Sequence, residues 1–146
     1  MAERTVFQSI SQKRVLTLGP QASVREAAGV MTRAKCGSVL VMEPPDDLLG
    51  IVTERDLMTR VLAKALDPEG TMVRDVMTPK PLCVPPEMLV SDAVLIMIER
   101  GFRHLPIVGL DKRILGVFSI RDALPREIGG AMNQADFNEQ LNDALG

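Results

Sequence analysis

Gly50-Ile51-Val52-Thr53-Glu54-Arg55-Asp56 returns as Gly116-Val117-Phe118-Ser119-Ile120-Arg121-Asp122. The offset is 66 residues, and it aligns Val24 with Val90, Ala27 with Ala93, Met31 with Met97 and Val41 with Ile107. It runs through both halves without an insertion, and aligns a lead-in before each repeat, Val73 and Val76 falling on Phe7 and Ile10. Each copy carries a glycine, then a hydroxyl, then a carboxylate three residues after the hydroxyl. A duplicated polar constellation points to two matching sites, which a duplicated core alone would not.

The segments around this motif read as one unit written twice. Val15 to Leu18 is a short β-prone run closed by Gly19-Pro20, a turn signal. Ser23 with Glu26 forms a capping box ahead of Val24, Ala27, Met31 and Ala34, so a helix runs from Val24 to Lys35 and stops at Gly37. Ser38 to Met42 is an unbroken apolar run, as expected of a strand covered on both faces. Glu43 to Asp47 is a turn, and Leu48 to Val52 returns as a strand. Thr53 opens a second helix with Leu57, Met58, Val61, Leu62 and Ala65, ending near Asp67-Pro68. The second copy follows with Leu82 to Val84, a helix after Leu89, Leu105 to Val108, and Ile114 to Phe118. The order is β-α-β-β-α in each, with repeats at 7–70 and 73–128. Pro125 falls inside the last helix, where it would kink or end it. Residues 129–146 form a tail whose Phe137, Leu141 and Leu145 make a narrow apolar stripe, the pattern of a packing or dimer helix.

The 146 residues carry 17 Lys and Arg against 19 Asp and Glu, a net charge of −2 with the signs interspersed. There is no basic stripe of the kind a nucleic-acid binder shows, and no apolar run approaches a membrane span. The start Met-Ala-Glu-Arg has no leader pattern. The chain therefore reads as soluble and cytoplasmic, without nucleic-acid or membrane partners. A repeat of about 60 residues buries only about 60% of its unfolded surface, marginal for independent folding. The halves are expected to share an interface, with ligand clefts between them.

Catalysis finds no support in the inventory. With one histidine there is no nucleophile–base–orienter set, no Gly-x-Ser-x-Gly, and neither a P-loop nor a dinucleotide fingerprint. Cys36 and Cys83 lack the neighbouring ligands of a zinc site, and Asp46-Asp47 is turn chemistry after Pro44-Pro45, so no metal is expected.

Thr53 with Asp56, and Ser119 with Asp122, stand where a strand gives way to a helix. By spacing alone they satisfy a capping box: hydroxyl at the N-cap, carboxylate at the third helical position. The same atoms suit a ligand. An ionised carboxylate accepts both hydrogens of a ribose diol, and a helix N-terminus attracts an anion. The two readings are compatible.

Each repeat resembles the cystathionine-β-synthase (CBS) domain, and the tandem resembles a CBS pair, or Bateman module. The glycine, apolar, hydroxyl and aspartate pattern at 50–56 and 116–122 carries the resemblance, with Gly101-Phe-Arg-His-Leu-Pro-Ile107 and Asp75-Val-Met-Thr-Pro79. It covers about residues 7–124, and the first copy shows Ser38-Val39-Leu40 in place of His-Leu-Pro. The resemblance implies an α+β sandwich of the α/β type, two pseudo-twofold units packed sheet to sheet with clefts between them. It implies an adenosyl ligand, AMP, ADP or ATP first, with NAD(H) or S-adenosylmethionine as further choices. It also implies a homodimer that signals by shape change to a regulated partner protein, and no partner domain is on the chain.

By the same resemblance Thr17-Leu18 and Cys83-Val84 lie against adenine, with Ser38, Val39, Leu105 and Pro106 near its walls. Phosphates call for cations, and Arg55, Arg121, Arg103 and His104 are the candidates. Glu54 has Ile120 at the matching position, and an extra carboxylate opposes a polyphosphate, so the two sites are expected to differ. The competing reading is an interaction or dimerisation module with vestigial clefts.

Overall fold

The computed structural model describes residues 3–10 and 15–123. Pro125 and the 129–146 tail lie outside the described residues. Helix α1 spans Val6–Ser9, strand β1 Thr17–Leu18, helix α2 Val24–Ala34, strand β2 Ser38–Glu43, strand β3 Asp47–Thr53 and helix α3 Glu54–Leu57. Then come α4 (Val73–Val76), β4 (Thr78–Pro79), α5 (Val90–Arg100), β5 (His104–Val108), β6 (Ile114–Ser119) and α6 (Ile120–Ala123).

The first unit forms as its pattern dictates. Ser23 accepts a hydrogen bond from Glu26 N–H at 3.0 Å, and Val24, Ala27 and Met31 bury one face of α2. The box is half made: the hydroxyl caps the helix, while Ser23 bridges to Met72. The helix stops earlier than Gly37, because Lys35 turns left-handed at φ 56° and donates back to the Met31 and Thr32 carbonyls. Gly101 does the same for α5 at φ 76°. Strands β1 to β4 form one sheet in chain order, β1–β2 parallel and the rest antiparallel. In the second unit β5 pairs antiparallel with β6, and Val84 bridges to Ile107 in parallel. A register irregularity after Val41 in β2 recurs after Ile107 in β5, so the duplication reaches the backbone detail. The helix expected from Thr53 loosens into a π-helical turn at Met58–Leu62. Of its apolar positions Val61 is buried, while Met58 and Leu62 are exposed.

The lead-ins are exchanged. Helix α4 precedes the second repeat, yet Val73 and Val76 pack in the first core with Val24, Val39 and Val52. Helix α1 precedes the first repeat, yet Val6 and Ile10 pack in the second core with Val84, Val90 and Phe118. Backbone bonds fix the exchange. Val90 N–H donates to Arg4 O at 2.9 Å and Val6 N–H to Met88 O at 2.8 Å. Their counterparts are Val24 N–H to Thr71 O and Val73 N–H to Ala22 O. These pairings, and the bridges Thr5–Leu89 and Ser23–Met72, relate the lead-ins by 67 residues rather than 66. Val73 therefore corresponds to Val6 and Met77 to Ile10, and one extra residue lies between the first lead-in and its following strand. The uninterrupted offset read from sequence fails there.

The exchange also explains the repeated glycine. A Cβ on Gly50 would collide with Met77, and one on Gly116 would lie 2.6 Å from Ile10 Cδ1. Each glycine is a notch for the last residue of the exchanged lead-in. Burying a valine or isoleucine contributes about 1.5–3 kcal/mol, so two such residues per lead-in match a sizeable part of a domain's typical stability.

Candidate functional site

Two clefts lie between the repeats, and their linings correspond position by position. Cavity I, about 630 Å³, is walled by Ile51, Thr53, Glu54, Arg55, Asp56 and Arg60 of the first repeat. The linker Thr78–Cys83 and the turn Arg100–His104 complete it. Cavity II, about 140 Å³, is walled by Val117, Ser119, Arg121 and Asp122, by Val15 and Leu16, by the turn Lys35–Ser38, and by His104. Adding 66 to 51, 53, 55 and 56 reaches the cavity II residues; adding it to 15, 16 and 35 to 38 reaches those of cavity I.

Strand β3 delivers Thr53 to the mouth of cavity I and α3 begins at once. The Thr53 hydroxyl accepts from Asp56 N–H at 3.3 Å, and Asp56 Oδ2 accepts from Thr53 N–H at 2.9 Å, a complete capping box. In cavity II Asp122 Oδ2 accepts from Ser119 N–H at 2.9 Å, but the Ser119 hydroxyl caps Arg121 N–H at 3.2 Å, one residue earlier. Matching bonds tie each helix start to the opposite turn of its own repeat: Glu54 N–H to Gly37 O and Ile120 N–H to Arg103 O, both 3.0 Å.

Asp56 is buried, and Arg60 Nε lies 3.7 Å from its Oδ1. Arg60 Nη1 also donates to the Val76 and Met77 carbonyls at 2.9 and 3.0 Å, so one guanidinium joins the site carboxylate to the exchanged lead-in. A carboxylate offers about four acceptor positions, which leaves Asp56 able to take a ligand's hydroxyls beside these contacts. Cavity I gathers five cations, Arg55, Arg60, Lys80, Arg100 and Arg103, against the carboxylates of Glu54 and Asp56. Among the described residues cavity II has Lys35 and Arg121 against Asp122.

His104 walls both cavities, packed where a Cβ on Gly37 would come within 3.0 Å of its Nε2. Burial lowers its pKa. Glu54 and Asp122 pull it up, while Arg121 and Arg103 push it down. Burial also raises the Cys83 thiol, favouring its protonated, unreactive form. Among the described residues no group of three or more His, Cys, Asp or Glu could hold a metal, and no helix is long and apolar enough to cross a membrane.

Of the residues expected at the sites, Thr53, Asp56, Arg55, Cys83, Arg103 and His104 line cavity I. Ser119, Asp122, Arg121, Ser38 and His104 line cavity II. The others do not line either. Val39, Val84, Leu105 and Pro106 are buried in the cores, Leu18 packs against the first core, and Thr17 points to solvent. Their place is taken earlier in the chain, by Val15-Leu16, two residues before Thr17-Leu18, and by Leu82-Cys83, one residue before Cys83-Val84. Arg60, Lys80 and Arg100 went unseen in the sequence. Arg60 alone left a signal there, standing one helical turn after Asp56.

The CBS domain family model matches residues 7–63 and 73–127. A meiotically up-regulated gene 70 protein of Schizosaccharomyces pombe is 32% identical over 139 residues, 89% of this chain and 19% of that protein. An uncharacterized protein of Methanopyrus kandleri is 32% identical over 118 residues, 81% of this chain and 60% of that protein. The chain thus spans less than two thirds of both relatives. A CBS domain protein of Pyrobaculum aerophilum, complexed with AMP, superposes with a TM-score of 0.77 at 22% identity, covering 90% of this chain and 99% of that one.

Proposed function

This chain belongs to the CBS-domain family, and on that premise we propose that it is a regulatory module that binds an adenine nucleotide in cavity I. The observation that carries the reading is the size and charge of that cavity. Small-molecule sites typically enclose about 300–1,000 Å³; cavity I at about 630 Å³ lies within that range and cavity II at about 140 Å³ below it.

In this reading Asp56 accepts the ribose hydroxyls, and Arg55, Lys80, Arg100 and Arg103 face the phosphates. Ile51, Pro81, Leu82 and Phe102 offer the base an apolar surface. AMP, ADP and ATP suit the cation count; NAD(H) and S-adenosylmethionine share the adenosine. The AMP complex of the Pyrobaculum protein supports the fold's capacity for such a ligand. A nucleotide there touches the first repeat, the linker and the second repeat together. It shifts their arrangement by its differential affinity for the alternatives, and a partner protein reads the result.

Titration calorimetry with AMP, ADP, ATP, NAD⁺, NADH and S-adenosylmethionine tests this, with Asp56→Asn as the control. Asparagine keeps an acceptor for Thr53 N–H and loses the charge. Binding by the parent that the variant weakens supports the reading. No heat with any of the six, from folded protein, leaves Asp56 as a cap and the chain as an interaction module.

A further inference from the structure

We propose that His104 and Glu54 form a latch between the two repeats, closed by a proton taken up when a phosphorylated ligand enters cavity I. This rests on the nucleotide reading of that cavity and adds its regulation.

The two side chains come from different repeats and converge on one glycine. A Cβ on Gly37 would lie 3.0 Å from His104 Nε2 and 3.4 Å from the Glu54 carboxyl carbon, so both reach the space that the missing side chain leaves. The backbone sends them there. Glu54 N–H donates to Gly37 O at 3.0 Å, and His104 opens β5 opposite Ser119. Among the described residues neither side chain makes an ion pair.

The duplication supplies an internal control. The 66-residue offset relates the pair Glu54–His104 to the pair Ile120–Ser38. Acid and base are thus both present on one diagonal of the molecule and both missing on the other. Two unrelated surface charges give no reason for that; a working pair does. The pairing also accounts for Glu54 itself, a carboxylate among the cations of cavity I, where alone it would oppose a phosphate.

In the structure the latch is open. Burial holds the His104 pKa below its ordinary value, and the charges around the ring oppose one another. Glu54 of α3 and Asp122 of α6 favour the imidazolium, while Arg121 of α6 and Arg103 of the turn before β5 disfavour it. Lys35 and Cys36 share cavity II with the ring, and Arg55, Lys80, Cys83 and Arg100 share cavity I. A phosphate in cavity I adds negative charge beside the ring and neutralises the cations that disfavour its protonation. The imidazolium then donates to the Glu54 carboxylate. Repulsion between Glu54 and phosphate becomes a charged hydrogen bond joining the repeats. By reciprocity the proton tightens the ligand as much as the ligand tightens the proton.

His104 is the only histidine of the chain, so in protein without a histidine tag its ring protons are read by NMR with no assignment needed. Saturation with ATP should move the titration midpoint of the ring upward. The move should be smaller in Glu54→Gln, a change at an exposed position. By calorimetry, the ATP affinity of the parent relative to His104→Gln should grow by about three- to tenfold from about pH 8 to about pH 6. Protonation of the phosphate itself is common to both proteins and leaves that ratio unchanged. ATP binding with an unmoved ring midpoint would overturn the latch and leave the nucleotide reading standing. An equal upward move in parent and Glu54→Gln would remove Glu54 as the partner and overturn it too. No heat with AMP, ADP or ATP would overturn both readings.

Discussion

The two repeats share a backbone down to the strand irregularity and the tethering bond from helix start to turn, yet of the two cavities between them one has more than four times the volume of the other. One turn that lines each cavity differs in composition. Lys35-Cys36-Gly37-Ser38 in the first repeat is Gly101-Phe102-Arg103-His104 in the second. Gly37 leaves room for the His104 ring, which stands in the wall of cavity II, while Arg103 and Phe102 line cavity I. Duplication supplied the scaffold twice, and this turn adds Phe102, Arg103 and His104 to the wall of cavity I.

The sharpest way to expose the asymmetry is at the two glycine notches. A Cβ at Gly50 meets the Thr78 carbonyl at 2.8 Å as well as Met77, and that carbonyl is held in β4 against β3; at Gly116, among the described residues, the contact is the flexible tip of Ile10. Overpacking typically costs about 1–3 kcal/mol. Gly50→Ala is expected near the top of that range and Gly116→Ala near the bottom, read by urea denaturation. Equal costs would mean that the two lead-ins seat alike.

Nucleotide binding comes next. Asp56→Asn should raise Kd by about ten- to a hundredfold, the loss of hydrogen bonds to a charged group. Asp122→Asn should change it by less than about threefold. Calorimetry giving equal losses in the two variants would contradict the assignment of the ligand to cavity I.

Smaller effects follow at the paired helix ends. Among the described residues a Cβ at Gly101 meets nothing within 4 Å, so Gly101→Ala is expected to cost its left-handed backbone, about 1 kcal/mol. Lys35→Gly should stabilise by up to a similar amount, since Lys35 already bears that strain at φ 56°. Thermal melts that moved the same way in both variants would deny the equivalence of the two ends.

The smallest effect is the pH response of His104, whose pKa lies below 6.5 in the folded chain. The unfolded chain binds more protons between the folded pKa and 6.5, so stability rises with pH across that window and is lost as pH falls through it. Melts of the parent should therefore decline on mild acidification, and His104→Gln should flatten that part of the decline. An unchanged pH profile in the variant would assign the response elsewhere.

Much of this was open to reading because local rules agreed with the fold. Ser23 ahead of an apolar face at helical spacing specifies α2, and the apolar run from Ser38 specifies a covered strand. The Thr53–Asp56 capping box was legible because its spacing is a local rule. What escaped was non-local. Nothing in Val6 or Val73 says which core it enters, so the exchange and the one-residue slip were invisible. Val39, Leu105 and Pro106, expected by resemblance at the walls, and Val84, expected against the base, are buried, which no local pattern in the sequence distinguishes from lining a cleft. Lys80 and Arg100 reach the cavity only through the packing of linker and turn, which no spacing encodes.

The exchanged lead-ins also bear on ancestry. A lone repeat would have a helix it cannot use and an open notch at its glycine. A one-repeat ancestor could finish its core only by trading lead-ins with a second molecule. Joining two such genes end to end would turn that trade between molecules into a permanent one within a single chain, and free each repeat to diverge from the other.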